Sequence, residues 1–389
     1  MLATALVLAT ALVAYEAPVT PPTSATAATA APGAAAAEAS PEAEPALSLP
    51  VREDIVTWHG FGEWIYARTN ENEYGHGTPA GNFKNVEVAL AVLARPAANV
   101  SVGAQAFFAQ HGEEIEPALD WAFAEWQAAD WARVRAGRIK QPIGLSFEVK
   151  DVGTTRPFLK LPTSVYDAGF GAESIDGVGV TGNMAAGEWN TGYDLYVGGV
   201  DLETNRAWVP EDSPMKEMDL TNLFGARLRA DSPFGTTAML SGYQGTHQDE
   251  GTRQTVGGAS LEQHLGPATV RGEYFWKRHQ EDAVERGWYG EAEVRAFDAW
   301  QLALRWDQHD GSFYGMREAF AGQMHHQEAA VGLSYWVAPE LVARVSFHRA
   351  SGGRFVRPAE EGMPASAMDE APEAPAATNL VMTGVQFSF

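Results

Sequence analysis

From Ile55 onward, apolar and polar positions alternate along the chain with a period of two. Residues 300–307 place Trp300, Leu302, Leu304 and Trp306 on one face and Gln301, Ala303, Arg305 and Asp307 on the other. In 268–277, Val270, Tyr274 and Trp276 oppose Arg271, Glu273, Phe275 and Lys277. In 340–348, Leu341, Ala343, Val345 and Phe347 oppose Glu340, Arg344, Ser346 and His348, and in 223–229 Phe224, Ala226 and Leu228 oppose Arg227 and Arg229. Successive side chains of a strand point to opposite faces, so one face of each segment suits hydrocarbon and the other suits water. The segments run to about ten residues, the length a tilted strand needs to cross a bilayer. Trp and Tyr gather near the ends of the apolar faces, as in an interfacial girdle. A soluble sandwich alternates too, but it has no use for either feature.

Sixteen such segments are predicted: 55–68, 83–95, 99–111, 118–128, 132–146, 175–184, 189–201, 219–231, 235–247, 254–264, 268–279, 286–296, 300–309, 326–336, 340–349 and 379–389. Short turns such as RPAAN (95–99), NMAAGE (183–188), DSPFG (231–235), HLGPA (264–268), AFDAW (296–300) and WVAPE (336–340) join some neighbours. Longer polar stretches, 69–82, 147–174, 202–218, 248–253, 310–325 and 350–378, join others. Short and long connections alternate, which is the rhythm of an outer-membrane barrel. The expected fold class is all-β: a transmembrane antiparallel β-barrel of about 16 strands with an inward-folded loop, wide enough for an aqueous channel. The final stretch, NLVMTGVQFSF, puts Val381, Thr383, Val385, Phe387 and Phe389 on one face and ends in an aromatic residue. It resembles the last strand of bacterial outer-membrane barrels, which implies the barrel assembly machinery as a partner that reads Phe389.

The first fifty residues follow no such pattern. Residues 2–15, LATALVLATALVAY, form an apolar stretch too short to span a bilayer as a helix. It has the length of a signal-peptide core, although no Lys or Arg precedes it. Residues 17–52 are dominated by Ala, Pro, Thr, Ser and Glu, which cannot bury enough apolar surface to fold. The expected organisation is a signal-like segment (1–16), an Ala/Pro-rich linker (17–52) and the barrel (53–389).

Composition narrows the function. The chain has 389 residues and a formal net charge of −23, which argues against nucleic-acid binding. It has no cysteine, which excludes disulfides and thiolate metal sites. After residue 15 no apolar run reaches the ~18 residues of a membrane-spanning helix, and a mean hydropathy of −0.21 is what alternating strands give.

Against that acidity, residues 133–160 carry Arg133, Arg135, Arg138, Lys140, Lys150, Arg156 and Lys160, opposed only by Glu148 and Asp151. The segment runs along a strand and into a long connection. Folded into a barrel, positive charge there raises the local anion concentration. Arg227, Arg229, Arg271, Lys277, Arg305 and Arg344 lie on polar faces and continue the path, while Glu273, Glu291 and Asp307 interleave with them. The expected constriction comprises Arg133, Arg135, Arg138, Lys140, Arg156, Lys160, Arg227, Arg229, Arg271 and Arg305. Arg133 and Arg135 share one parity, and Arg138 and Lys140 share the other. A β-bulge near Ala136–Gly137 would bring all four to one face.

The stretches RAGRIKQPIGL (135–145), EVKDVGTTRPFLKLPTSVYD (148–167) and SIDGVGVTG (174–182) resemble the bacterial porin superfamily, in its phosphate-selective porin O and P branch. The similarity is strong over about 50 residues and looser over 53–389. It implies a trimeric 16-stranded porin with an inward-folded third loop. Arg138 and Lys140 then fall on the strand entering that loop, and Arg156 and Lys160 on the loop. The sequence departs from that branch in its many lumen acids.

The expected function is passive diffusion of small hydrophilic solutes, with a preference for anions, in the outer membrane among lipid and lipopolysaccharide. A plugged barrel with a structural or adhesive role is the alternative, suggested by long acidic loops. No G-x-S-x-G, H-E-x-x-H or P-loop occurs. An outer-membrane hydrolase would need a Ser or Asp with a His in hydrogen-bond reach. His325 and His326, with His309 and His279, have no spacing that fixes three metal ligands, so neither metal nor cofactor is expected.

Overall fold

The alternating segments pair into a closed cylinder. The computed structural model describes residues 56–111, 114–203, 217–248, 251–279, 283–297, 299–313, 323–357 and 377–389. The signal-like segment and the linker lie outside the described residues. The strands are β1 (Val56–Thr69), β2 (Asn82–Ala97), β3 (Val100–His111), β4 (Glu114–Ala129), β5 (Ala132–Lys140), β6 (Ser174–Ala186), β7 (Trp189–Glu203) and β8 (Glu217–Asp231). They continue as β9 (Thr236–His247), β10 (Arg253–Leu265), β11 (Ala268–His279), β12 (Ala283–Ala296), β13 (Trp300–Phe313), β14 (His325–Ala338), β15 (Leu341–Ser351) and β16 (Thr378–Ser388). Each pairs with its sequence neighbours, and β1 pairs antiparallel with β16 to close the barrel. Closure leaves no sheet edge, so the ladder satisfies its backbone groups internally, as hydrocarbon demands.

The predicted faces hold. Trp300, Leu302, Leu304 and Trp306 point outward, 42–56% exposed, while Gln301, Ala303, Arg305 and Asp307 point inward and are buried. On β11, Val270, Tyr274 and Trp276 face out, and Glu273, Phe275 and Lys277 face in. At the seam, Gly60 and Phe389 exchange backbone hydrogen bonds of 3.0 and 2.9 Å. The Phe389 ring lies so close over Gly60 that a Cβ there would come within 2.3 Å of it. An aromatic ring covering a glycine in this way pins the register at the seam.

Two local features depart from the sequence reading. β5 stops at Lys140, not at 146, because Pro142 has no N–H for the ladder and the chain turns inward there. The bulge is also elsewhere. Both pairings of β5 run without a shift from Arg133 to Arg138, whereas the β3–β4 register skips between Gln105 and Ala106 and leaves Asp120 as the extra residue. Asp120 and Trp121 consequently both turn inward, and Leu119 faces out. With β5 regular, Arg133 and Arg135 share the inward parity of buried Ile139, and Arg138 faces outward.

The core sits inside the cylinder. Ile143, Phe147, Leu159, Val165, Tyr166 and Phe170, from the segment between β5 and β6, pack on inward residues including Ile175, Tyr196, Leu223, Tyr243 and Phe275.

Candidate pore constriction

Residues 141–173 form a loop that folds into the lumen and is tied to the wall along most of its length. Leu145 N–H donates to Glu273 Oε2 (2.8 Å) and Gly144 N–H to Ser241 Oγ (3.2 Å). Three wall cations donate to loop carbonyls: Arg344 Nη1 to Gly153 O (2.9 Å), Arg305 Nη1 to Lys160 O (3.0 Å) and Lys277 Nζ to Ala168 O (3.0 Å). The helical turn Thr163–Tyr166 reaches β12, where Ser164 Oγ donates to Trp288 O (3.1 Å). Phe158 packs on Ala303 and Ala330, with the Arg305 guanidinium 4.6 Å from its ring centre. The loop therefore covers the inner wall of β11–β16 and packs on part of β6–β9.

Carboxylates meet these cations. Arg305 contacts Glu328 (2.8 Å), Asp307 (3.5 Å) and Glu291 (3.6 Å). Arg271 contacts Glu262, Glu291 and Glu293 at 2.9–3.2 Å. Arg227 pairs with Asp194 (2.9 Å) and with Glu148 of the loop. Lys140 Nζ sits among Asp120 (2.5 Å), Glu173 (2.8 Å) and Asp151 (2.9 Å), so an ammonium fills that cluster of three acids. Arg156 pairs with Glu63 (2.7 Å) and Lys160 with Glu328 (2.8 Å).

Charge within the loop is tuned by this pairing. Burial pushes the Glu173 carboxyl up, but Lys150 and Lys140 outweigh it and hold the group well below its ordinary range. Burial, and then the charge of Glu173, raise its neighbour Asp151. Burial likewise raises Glu148, with Arg227 opposing.

A different arc is less covered. Arg135 with Glu125 (2.6 Å), Arg229 with Asp231 (2.8 Å) and Glu262 with His264 (3.2 Å) line β4, β5, β8 and β10. The side chains of Arg229 and His264 are 37% and 39% exposed, against 1% for Arg305.

No family model matches the chain, and no curated protein matches it in sequence. Solved structures do. The outer membrane channel DcaP of Acinetobacter baumannii superposes with a TM-score of 0.56 at 11% identity, over 86% of this chain and 97% of that one. The anion-selective porin from Comamonas acidovorans gives 0.54 at 12% identity over 86% and 99%. OmpT, an outer membrane protein of Vibrio cholerae, gives 0.55 at 10% identity over 87% and 99%.

The chain has the bacterial outer-membrane porin fold. Within it, Arg133, Arg135, Arg227, Arg229, Arg271 and Arg305 lie at inward positions of their strands, and Lys140, Arg156 and Lys160 reach lumen acids. Arg138, expected in the lumen, is instead on the outside of this porin barrel. Its guanidinium pairs with Asp176 at 2.8 Å, and both side chains are substantially exposed. Sequence reading missed the acids that complete the network, above all Glu63, Glu328 and Glu285. Their cations come from the folded loop (Arg156, Lys160) and from neighbouring strands (Arg305, Lys277), which no sequence spacing shows.

The arrangement a hydrolase would need does occur in the wall. Ser346 Oγ is 2.8 Å from His348 Nε2, and His348 Nδ1 is 3.0 Å from Glu328 Oε1. Ser346 and His348 are buried, with Phe158 over the His348 ring, and Glu328 also holds Arg305 and Lys160. The trio is thus hydrogen-bonded into the buried wall.

Proposed function

We propose that the protein is a channel of the bacterial outer membrane for passive diffusion of small hydrophilic solutes, anions among them. The observation that carries this reading is a closed cylinder, apolar outside, whose inward loop covers one arc and leaves charged pairs partly exposed on another. Partly exposed Arg135 and Arg229 offer passing anions a charged wall, with Arg227 and Arg271 behind them. Because each of these cations also has a carboxylate, the selectivity expected is modest. The resemblance of the loop sequence to the phosphate-selective porin branch supports phosphate-like solutes. One of the solved OmpT structures is described as a trimer form, and we propose a homotrimer here. Lipid and lipopolysaccharide outside the barrel, assembly through the Phe389 strand, and export by the signal-like segment complete the proposal.

Single-channel recording in planar bilayers tests it. Stepwise conductance is expected, with a reversal potential that moves toward cation preference in Arg135→Ala and Arg229→Ala. One observation favours a second reading, a plugged barrel: the loop side chains Phe147, Phe158 and Phe170 and, from the β15–β16 connection, Arg354 and Phe355 are buried in the lumen. Absence of conductance by folded protein would select that reading.

A further inference from the structure

The inner wall of β13 and β14 holds a polar layer that solute passage does not use. The register sets Asp307 opposite Glu328 and His309 opposite His326, and all four side chains are buried. Tyr74, from the β1–β2 connection, and Phe355 pack over His326.

Glu328 is fully engaged. Its Oε1 accepts from Arg305 Nη2 (2.8 Å) and contacts His348 Nδ1 (3.0 Å). Its Oε2 accepts from the Tyr74 hydroxyl (2.5 Å) and pairs with Lys160 Nζ (2.8 Å). Asp307, with 0% exposure, is not engaged: neither carboxylate oxygen accepts a hydrogen bond. Its nearest nitrogen neighbours stand off, Arg305 Nε at 3.5 Å and His326 Nε2 at 3.4 Å. His326 Nδ1 and both ring nitrogens of His309 also lack hydrogen bonds, although His309 Nε2 is 3.2 Å from Glu285. Buried polar atoms are nearly always satisfied, and such a concentration of exceptions points to a missing ligand. A carboxylate beside imidazoles makes that ligand a cation.

The donor geometry fits one. A ligand atom from each of Asp307, His326 and Glu328 lies within 4.8 Å of the other two. His326 Nε2 and Asp307 Oδ1, 3.4 Å apart, have the separation of two donors on a tetrahedral ion with bonds of about 2.0–2.1 Å. We propose that Asp307, His326 and Glu328 bind a divalent transition cation of the Zn²⁺ class. An imidazole with two carboxylates and no thiolate suits such an ion, whereas Ca²⁺ takes six or more oxygens. The Tyr74 hydroxyl, 3.3 Å from His326 Nε2, closes the site from the loop end and moves for the ion to enter. Lys160 is the competitor, because its ammonium holds the oxygen of Glu328 that the ion would take. Binding therefore leaves Lys160 to its remaining partners, Thr163 Oγ1 (2.5 Å) and the Tyr74 hydroxyl (3.0 Å), and so reaches the inward loop. The site stands independently of the transport reading.

The full chain, purified in detergent, stripped with EDTA and titrated with ZnCl₂ in a calorimeter, tests this. One Zn²⁺ per chain is expected. Asp307→Asn and His326→Gln should each weaken binding about 10-fold or more, Lys160→Met should tighten it, and His264→Gln, outside the cluster, should leave it unchanged. No Zn²⁺ binding by the wild type, or undiminished binding by folded Asp307→Asn and His326→Gln, would overturn the proposal. Should both variants fail to fold, X-ray absorption of the Zn²⁺-loaded wild type decides: one imidazole among oxygen ligands supports the site, and an all-oxygen shell overturns it.

Discussion

Arg305 and Arg229 occupy equivalent inward positions on strands with the same alternation, yet they live in different physical settings. Arg305, on the arc beneath the loop, is almost fully buried and tied to Glu328, Asp307, Glu291 and the Lys160 carbonyl. Arg229, on β8, keeps more than a third of its side chain exposed and has Asp231 beside it. Alternation decides only that a residue faces inward. What covers it decides whether its charge supports the fold or meets solute. The loop thus divides the wall into a covered part, centred on β11–β16 and extending over Tyr196, Leu223 and Tyr243, and a solvated part that includes Arg229 and His264.

The sharpest way to break this division is to remove a cation from each arc. Arg305→Ala removes one cation from buried Glu328, Glu291 and Asp307 and is expected to cost about 3–5 kcal/mol, read as a lowered urea midpoint in detergent. A loss below 1 kcal/mol would mean that the covered arc is not a structural network. Next in size is the loop itself. A Cβ on Gly287 would lie 2.0 Å from Ser164 O, so Gly287→Val should push the turn Thr163–Tyr166 off β12 and raise single-channel conductance. An unchanged conductance would place the passage away from the loop.

Acid titration sharpens the comparison with a smaller effect. The folded Glu173 carboxyl is depressed, so its attraction to Lys150 and Lys140 is fully present above its ordinary value of 4.5 and is lost as pH falls through its folded value. Glu148 and Asp151 are raised and act in the opposite sense, since protonation relieves their burial. The loop should therefore stay docked from pH 7 to about 5 and become open to pepsin only in stronger acid. Glu173→Gln should flatten that acid limb; an unaltered profile would assign the transition to another group. Smallest of all, Arg229→Ala should change stability by about 0–1 kcal/mol, as exposed pairs do, while still shifting the reversal potential.

Much of this fold was legible in the sequence because a membrane barrel writes its two solvents into every strand. Trp300, Leu302, Leu304 and Trp306 point outward, and fifteen of the sixteen segments end within four residues of the observed strands, the exception being β5. The failures came where pairing, not pattern, decides. The odd phase of Arg138 and Lys140 suggested a bulge in β5, but the extra residue is Asp120 in β4, visible only in the β3–β4 register. The three proposed metal ligands were not grouped in the sequence reading, which weighed His326 only with other histidines, for a related reason. Asp307 lies on one strand and His326 and Glu328 on the next, so no spacing in sequence unites them. Nor could periodicity tell which inward arginines the loop would bury.

The chain contains no cysteine, so single introduced thiols report unambiguously on which arc meets water. In channels reconstituted in planar bilayers, a charged methanethiosulfonate reagent should react with Arg229→Cys and alter its conductance. It should leave Ala303→Cys, which lies beneath Phe158, untouched. Reaction at Ala303→Cys with none at Arg229→Cys would contradict the division of the wall.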